Sequence, residues 1–176
     1  MAMRNALAAL VMMLAALPVA QGGEAYPVPH EENQVFFVQR SMNSNTVVYA
    51  ARLAADGRPD PGNPVDVYWR RYNDEGQRQE LSFLERTAAY GVKTQLVAGE
   101  PSAFEVHVVS YPERSAILRM VNGRPQLEMK IAGKPARLDH AYLHVDESAR
   151  VPRVLQVDIF GQSLATGGAV RESFRP

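Results

Sequence analysis

The stretch FEVHVVSYPERSAILRMVNGRPQLEMKI, residues 104–131, decides the fold. It divides into Phe104–Tyr111, Ser115–Val121 and Arg124–Ile131, each rich in β-branched or aromatic residues and bounded by turn-forming ones, as strands are. Between the last two sits Asn122-Gly123. Both residues tolerate the positive φ that a type I′ turn demands, which makes this the strongest hairpin signal in the chain. In the strand that follows, Leu127, Met129 and Ile131 alternate with Gln126, Glu128 and Lys130, so one face is dry and the other wet.

The same pattern extends in both directions. Upstream it predicts strands at Gln34–Arg40, Thr46–Leu53, Val65–Tyr72 and Val92–Val97; downstream at Ala136–Val145, Val154–Phe160 and Ala169–Phe174. Pro59, Pro61 and Pro64 make residues 56–64 a long turn, and Ala132-Gly133-Lys134-Pro135 makes a short one. One segment breaks the alternation. Over Gln77–Tyr90, Leu81, Leu84 and Ala88 recur at helical spacing and Gly91 stands where a left-handed cap would end a helix. Residues 26–33, with Pro27 and Pro29, read as an irregular lead-in. Short connections favour antiparallel neighbours, and this many strands curl or split a flat sheet. The expected fold is therefore mainly β: an antiparallel up-and-down barrel or two-sheet sandwich of about nine to ten strands with one packed α-helix, a single domain over residues 34–176.

Composition narrows the chemistry. The chain has 176 residues, 46% hydrophobic and 22% charged, with 19 basic side chains against 19 acidic ones and no cysteine. Zero net charge gives no bulk attraction to nucleic acid, and none is expected as a partner. Without cysteine there are no disulfides, thiolate nucleophiles, iron–sulfur ligands or lipid-anchoring thiol. Sixteen of the nineteen basic residues are arginine, which favours fixed, bidentate pairing. Residues 6–20, ALAALVMMLAALPVA, form an uncharged apolar run behind Arg4, the pattern of a signal peptide and too short for a lasting membrane span. We expect residues 1–25 to be removed, with cleavage after Ala25, or alternatively after Ala20 or Gly22, placing the protein in a bacterial periplasm or outside the cell with no stable membrane span.

No nucleophile elbow, P-loop or dinucleotide-binding glycine motif is present. His140 and His144 lie on one strand face about 13 Å apart, too far for one ion, and His30 and His107 add no metal spacing, so neither metal nor cofactor is expected. A hydrolase using His107 or His140 with a neighbouring carboxylate is the weakest functional reading. The richest constellation is Arg40 with Asn43 and Asn45, then Trp69 and Arg71 on one strand face, then Arg86, Tyr90 and Gly91. An arginine beside an indole can stack on it and hold an anion. Two alternatives stay open: a pocket lined by Tyr49, Trp69 and Tyr90 with Arg40, Arg71 and Arg86 receiving an anion, or a salt-bridge network tying these arginines to Asp66, Glu80 and Glu85. Asn43 and Asn45 shape a tight turn in either case.

The runs VFFVQRSMNSNTVVYAARLAADGR, NPVDVYWRRYNDEG and ELSFLERTAAYGVK resemble the bacterial envelope family catalogued as domain of unknown function 4833. The resemblance is specific over residues 34–97 and looser beyond, and Arg40, Asn43, Asn45, Trp69, Arg71, Arg86, Tyr90 and Gly91 match its motifs. It implies a single exported domain and no particular activity. The leading expectation is a non-enzymatic binding module for a small anionic or amphipathic ligand; the alternative is a cell-envelope module whose partner is another protein.

Overall fold

The computed structural model describes residues 26–148 and 152–176, and the expected signal peptide lies outside them. The strands are β1 (Gln34–Arg40), β2 (Asn43–Ala51), β3 (Val65–Arg71), β4 (Gln77–Glu80), β5 (Val92–Leu96), β6 (Phe104–Val108), β7 (Ser115–Val121), β8 (Arg124–Ile131), β9 (Lys134–Asp146), β10 (Arg153–Ser163) and β11 (Ala169–Phe174). One helix, α1, spans Phe83–Ala88. All eleven strands belong to one curled sheet, a half-barrel, ordered β4-β3-β2-β1-β9-β8-β7-β6-β5, with β10 and then β11 branching from β9. The mainly β architecture expected from the alternation is present.

Strand β9 organises the sheet. Along one edge Lys134–Arg137 pair with β8 and His140–Leu143 pair with β1, while the opposite edge runs the length of β10. The β1–β9 pairing is parallel, unlike its neighbours. Expectation from short connections missed it because the crossover is the whole chain between β1 and β9, long enough to return in the same direction. Where sequence-adjacent strands pair, the alternation and the turns govern. Asn122 and Gly123 have φ of 51° and 75°, as the hairpin reading requires.

The helix expected over Gln77–Tyr90 is corrected. Gln77–Glu80 form an edge strand against β3, all four side chains exposed, and only Phe83–Ala88 are helical. Two local features decide this. Leu81 is buried and pins the chain to the core, and Ser82 then starts a helix through a capping box in which its hydroxyl accepts from the Glu85 N–H while its own N–H donates to the Glu85 carboxylate. No α1 side chain is buried, so this is not the packed helix expected; Phe83 is 84% and Leu84 71% exposed. Gly91 is required for a different reason from the one the sequence suggests. Its φ is not left-handed, but a Cβ there would stand 1.8 Å from the Arg86 carbonyl oxygen.

Alternation divides side chains between two faces. Phe36, Val38, Val47, Tyr49 and Trp69 point to the main core, whereas Val48, Ala50 and Tyr68 form a small cluster on the opposite face. The irregular residues 26–33 are docked across that second face: Pro29 is fully buried, Gln39 donates to the Pro27 carbonyl at 2.9 Å, and Arg70 forms an ion pair with Glu31.

Candidate functional site

Two arginine–aromatic clusters flank the concave core. The first holds the residues singled out by sequence. Trp69 is 4% exposed, its indole N–H donates to Glu85 at 3.1 Å, and Tyr90 meets its ring edge-on at 5.2 Å. The Arg71 guanidinium lies 4.8 Å over the indole while its Nε donates to Gln79. Arg86 pairs with Glu80 at 3.3 Å on the surface. Arg40 sits beside the Tyr90 hydroxyl, with its Nε buried and without a hydrogen-bond partner. The carboxylate of Glu85 is pushed up by burial, but Ser82, Trp69 and Arg71 outweigh this and hold it below its ordinary value. Of the expected network, the Arg86–Glu80 pair forms; Asp66 instead binds Arg52 and Arg78. Asn43 and Asn45 shape the β1–β2 turn: the Asn43 side chain accepts from the Asn45 N–H, and the Asn45 side chain accepts from the Asn73 N–H, docking the short helical turn Tyr72–Asp74.

Tyr49 and Tyr90 do reach an open space. The Tyr49 hydroxyl donates to the Tyr90 carbonyl at 2.8 Å, and burial pushes the pKa of both phenols up. They form one wall of a cavity of about 260 Å³ whose other walls include Phe36 and Val38 of β1, Leu127 of β8 and Ile159 of β10. Trp69, Arg71, Arg86 and Arg40 do not line it. Of the residues singled out by sequence, the structure brings Tyr49 and Tyr90 to this cavity and places Trp69 beside it in a filled part of the core, its indole N–H bonded to Glu85.

The second cluster stands at the rim, where exposed Ser110 and Pro176 border the cavity. Tyr111 stacks on Phe174 at 5.1 Å, and the guanidinium of Arg114 lies 5.5 Å from the Phe174 ring. Arg114 Nη2 donates to Glu172 at 2.8 Å and to the Lys130 carbonyl at 3.0 Å, and Glu172 also accepts the Ala132 N–H at 2.6 Å. The Arg114 hydrogen bond holds the Glu172 carboxyl below its ordinary range. Sequence reading missed Arg114, Glu172 and Phe174. They are distant in the chain and carry no spacing motif; the one available signal was the turn Tyr111-Pro112-Glu113 delivering an arginine at a strand start.

The histidines are placed apart. His140 is stacked between Phe37 and Phe160 at 5.0 and 4.4 Å, the His144 Nε2–H donates to the Asp158 carboxylate at 2.8 Å, and the His107 Nδ1–H donates to the Pro112 carbonyl at 2.8 Å. Asp158 is 3% exposed; burial raises its pKa, yet Ser173, His144, Gln156 and Arg171 hold it far below the usual carboxylate range. Among the described residues no three metal-ligating side chains come together.

The model of the family described as Domain of unknown function (DUF4833) matches residues 36–173. The chain belongs to this family. The match extends well beyond the motif-rich residues 34–97, so the family's span covers the first cluster and, of the second, Tyr111, Arg114 and Glu172, with Phe174 one residue past it. No curated protein and no solved structure matches the chain.

Proposed function

We propose that the protein is an exported, non-enzymatic binding module whose concave cavity takes the apolar part of a small amphipathic ligand. The observation that carries this reading is the cavity itself. Its volume of about 260 Å³ exceeds the roughly 150 Å³ apolar void that admits a benzene, and its lining is almost wholly hydrocarbon with a few hydroxyls and one cation at the rim. No histidine and no acidic side chain among the described residues lines it, which favours holding a ligand over transforming one. Export is supported by the apolar segment 6–20. Isothermal titration with decanol and decanoate tests the reading. Saturable, equimolar binding is expected, weakened at least tenfold in Ala141→Phe, whose ring would occupy the cavity from β9. No saturable binding of either compound, or an unaffected Ala141→Phe, contradicts it.

A second reading, a protein-interaction module of the cell envelope, is favoured by one observation: Phe83 and Leu84 are adjacent, large and exposed on α1. A photocrosslinker at position 83 would trap one specific protein in cells if this is right and scattered products if it is wrong. Among the described residues no helix is long and apolar enough to cross a membrane, which says nothing of crossing by strands.

A further inference from the structure

We infer that the cavity mouth is a carboxylate site: Arg114 receives the acid group of a straight-chain fatty acid of about eight to ten carbons in exchange for Glu172, and this exchange loosens strand β11. The inference rests on the cavity reading above and assigns it a ligand class and a gate.

Three observations carry it. Arg114 is, among the described residues, the one cationic side chain that lines the cavity. An apolar chamber with a single arginine at its rim matches a molecule with one hydrocarbon chain and one negative end. The chain length follows from volume: if about 150 Å³ accommodates a benzene, about 260 Å³ accommodates a chain of about eight to ten carbons.

Glu172 identifies the head group. A carboxylate already occupies Arg114, at 2.8 Å, so the site is shaped for that group. The Arg114 bonds to Glu172 and to the Lys130 carbonyl both come from Nη2, whereas a guanidinium offers five donors arranged to grip a carboxylate with two. An incoming acid that takes a two-pronged geometry needs Nη2, the atom that Glu172 and the Lys130 carbonyl now share. Glu172 is not stranded by the exchange, because the Ala132 N–H remains its partner at 2.6 Å.

The gate follows from how β11 is held. Its backbone pairs with β10 alone, and Arg171 and Ser173 hold it to Asp158 of the same strand, so its ties to the rest of the sheet are side-chain ones: Glu172 to Arg114 and Ala132, and Phe174 against Tyr111. Phe174 also lines the cavity. The same arginine thus fastens the strand that carries part of the cavity wall and is the group the ligand would seek. Entry of the acid removes the Arg114 tie and leaves Glu172 on the Ala132 N–H alone, which weakens the fastening, and departure restores it.

Titration calorimetry with decanoate and with decanol, at neutral pH, separates the claims. The full chain is expected to bind decanoate at least tenfold more tightly than decanol. Arg114→Met should collapse that ratio to about one, and Glu172→Gln should tighten decanoate severalfold by removing the competitor. Hydrogen exchange of the Ala169–Phe174 amides should accelerate on adding decanoate. Equal affinity for acid and alcohol overturns the carboxylate site while leaving the cavity reading standing; failure of both compounds to bind overturns both. Slower exchange of β11 with decanoate overturns the gate. Should Arg114→Met fail to fold, the acid-to-alcohol ratio of the unaltered chain and the Glu172→Gln response still decide the matter.

Discussion

Trp69 with Arg71 and Phe174 with Arg114 are the same pair of residue types, a guanidinium over an aromatic ring, in two settings that differ in what surrounds them. Around Trp69 the ring and its arginine have their partners in place: Glu85 takes the indole N–H, Tyr90 packs against the ring, and Gln79 takes the Arg71 Nε. Around Phe174 the ring covers empty volume, and the arginine is held by a carboxylate that has another donor available. A polar group with all its partners supplied internally stabilises a fold; one whose partner is exchangeable, beside unfilled apolar space, is suited to receive a ligand. The chemistry of the pair does not distinguish these cases. The filling of the volume beside it does.

Substitutions can break this contrast, beginning with the largest expected effect. Trp69→Ala removes a buried indole and should lower unfolding free energy by about 3–5 kcal/mol in urea titrations; a loss under about 1 kcal/mol would mean that the first cluster is not packed as described. Glu85→Ala removes the carboxylate half of the capping box and leaves the indole N–H without an acceptor, for an expected loss of about 2 kcal/mol. The matching change at the rim, Glu172→Gln, should cost about 0–1 kcal/mol, because both members of that pair are partly solvated. If the two carboxylates cost the same, the contrast fails.

Acid should sharpen the same distinction. Glu85, Glu172 and Asp158 all have folded-state pKa values below their ordinary ones, so each stabilises the fold in full above the normal carboxylate range, and that stabilisation is lost as pH falls through the folded value. Asp158 is the most strongly held, so Asp158→Asn should flatten the loss of stability between pH 5 and pH 2 more than Glu172→Gln does, read from urea midpoints at each pH. The smallest effect belongs to Arg71→Ala, which gives up a surface stacking contact worth about 0.5–1 kcal/mol and should leave decanoate affinity within about twofold.

Local patterns were legible in the sequence. Alternation marks β1, β3, β7 and β8, and Asn122-Gly123 marks the turn between the last two, because a strand's two faces and a turn's positive φ are set by neighbouring residues. The misread segment shows where this stops. Gln77–Glu80 has good helix formers, but an available strand edge on β3 and the cap at Ser82 outweigh propensity. The parallel β1–β9 pairing and the cavity were beyond reach for a common reason. Each joins residues far apart in the chain, and a void has no residue of its own to leave a motif. Tyr49 and Tyr90 were singled out for their side chains; that they face open space while Trp69 does not is a property of packing alone.

The central claim, that ligand space lies beside Arg114 and not beside Trp69, is tested most directly by methyl NMR during titration with decanoate. The account predicts saturable shifts at Leu127, Met129, Leu143 and Ile159 around the cavity, with the methyls of Val47 and Val67 on the Trp69 strands unmoved. Shifts confined to Val47 and Val67, or none at the cavity methyls, would contradict it.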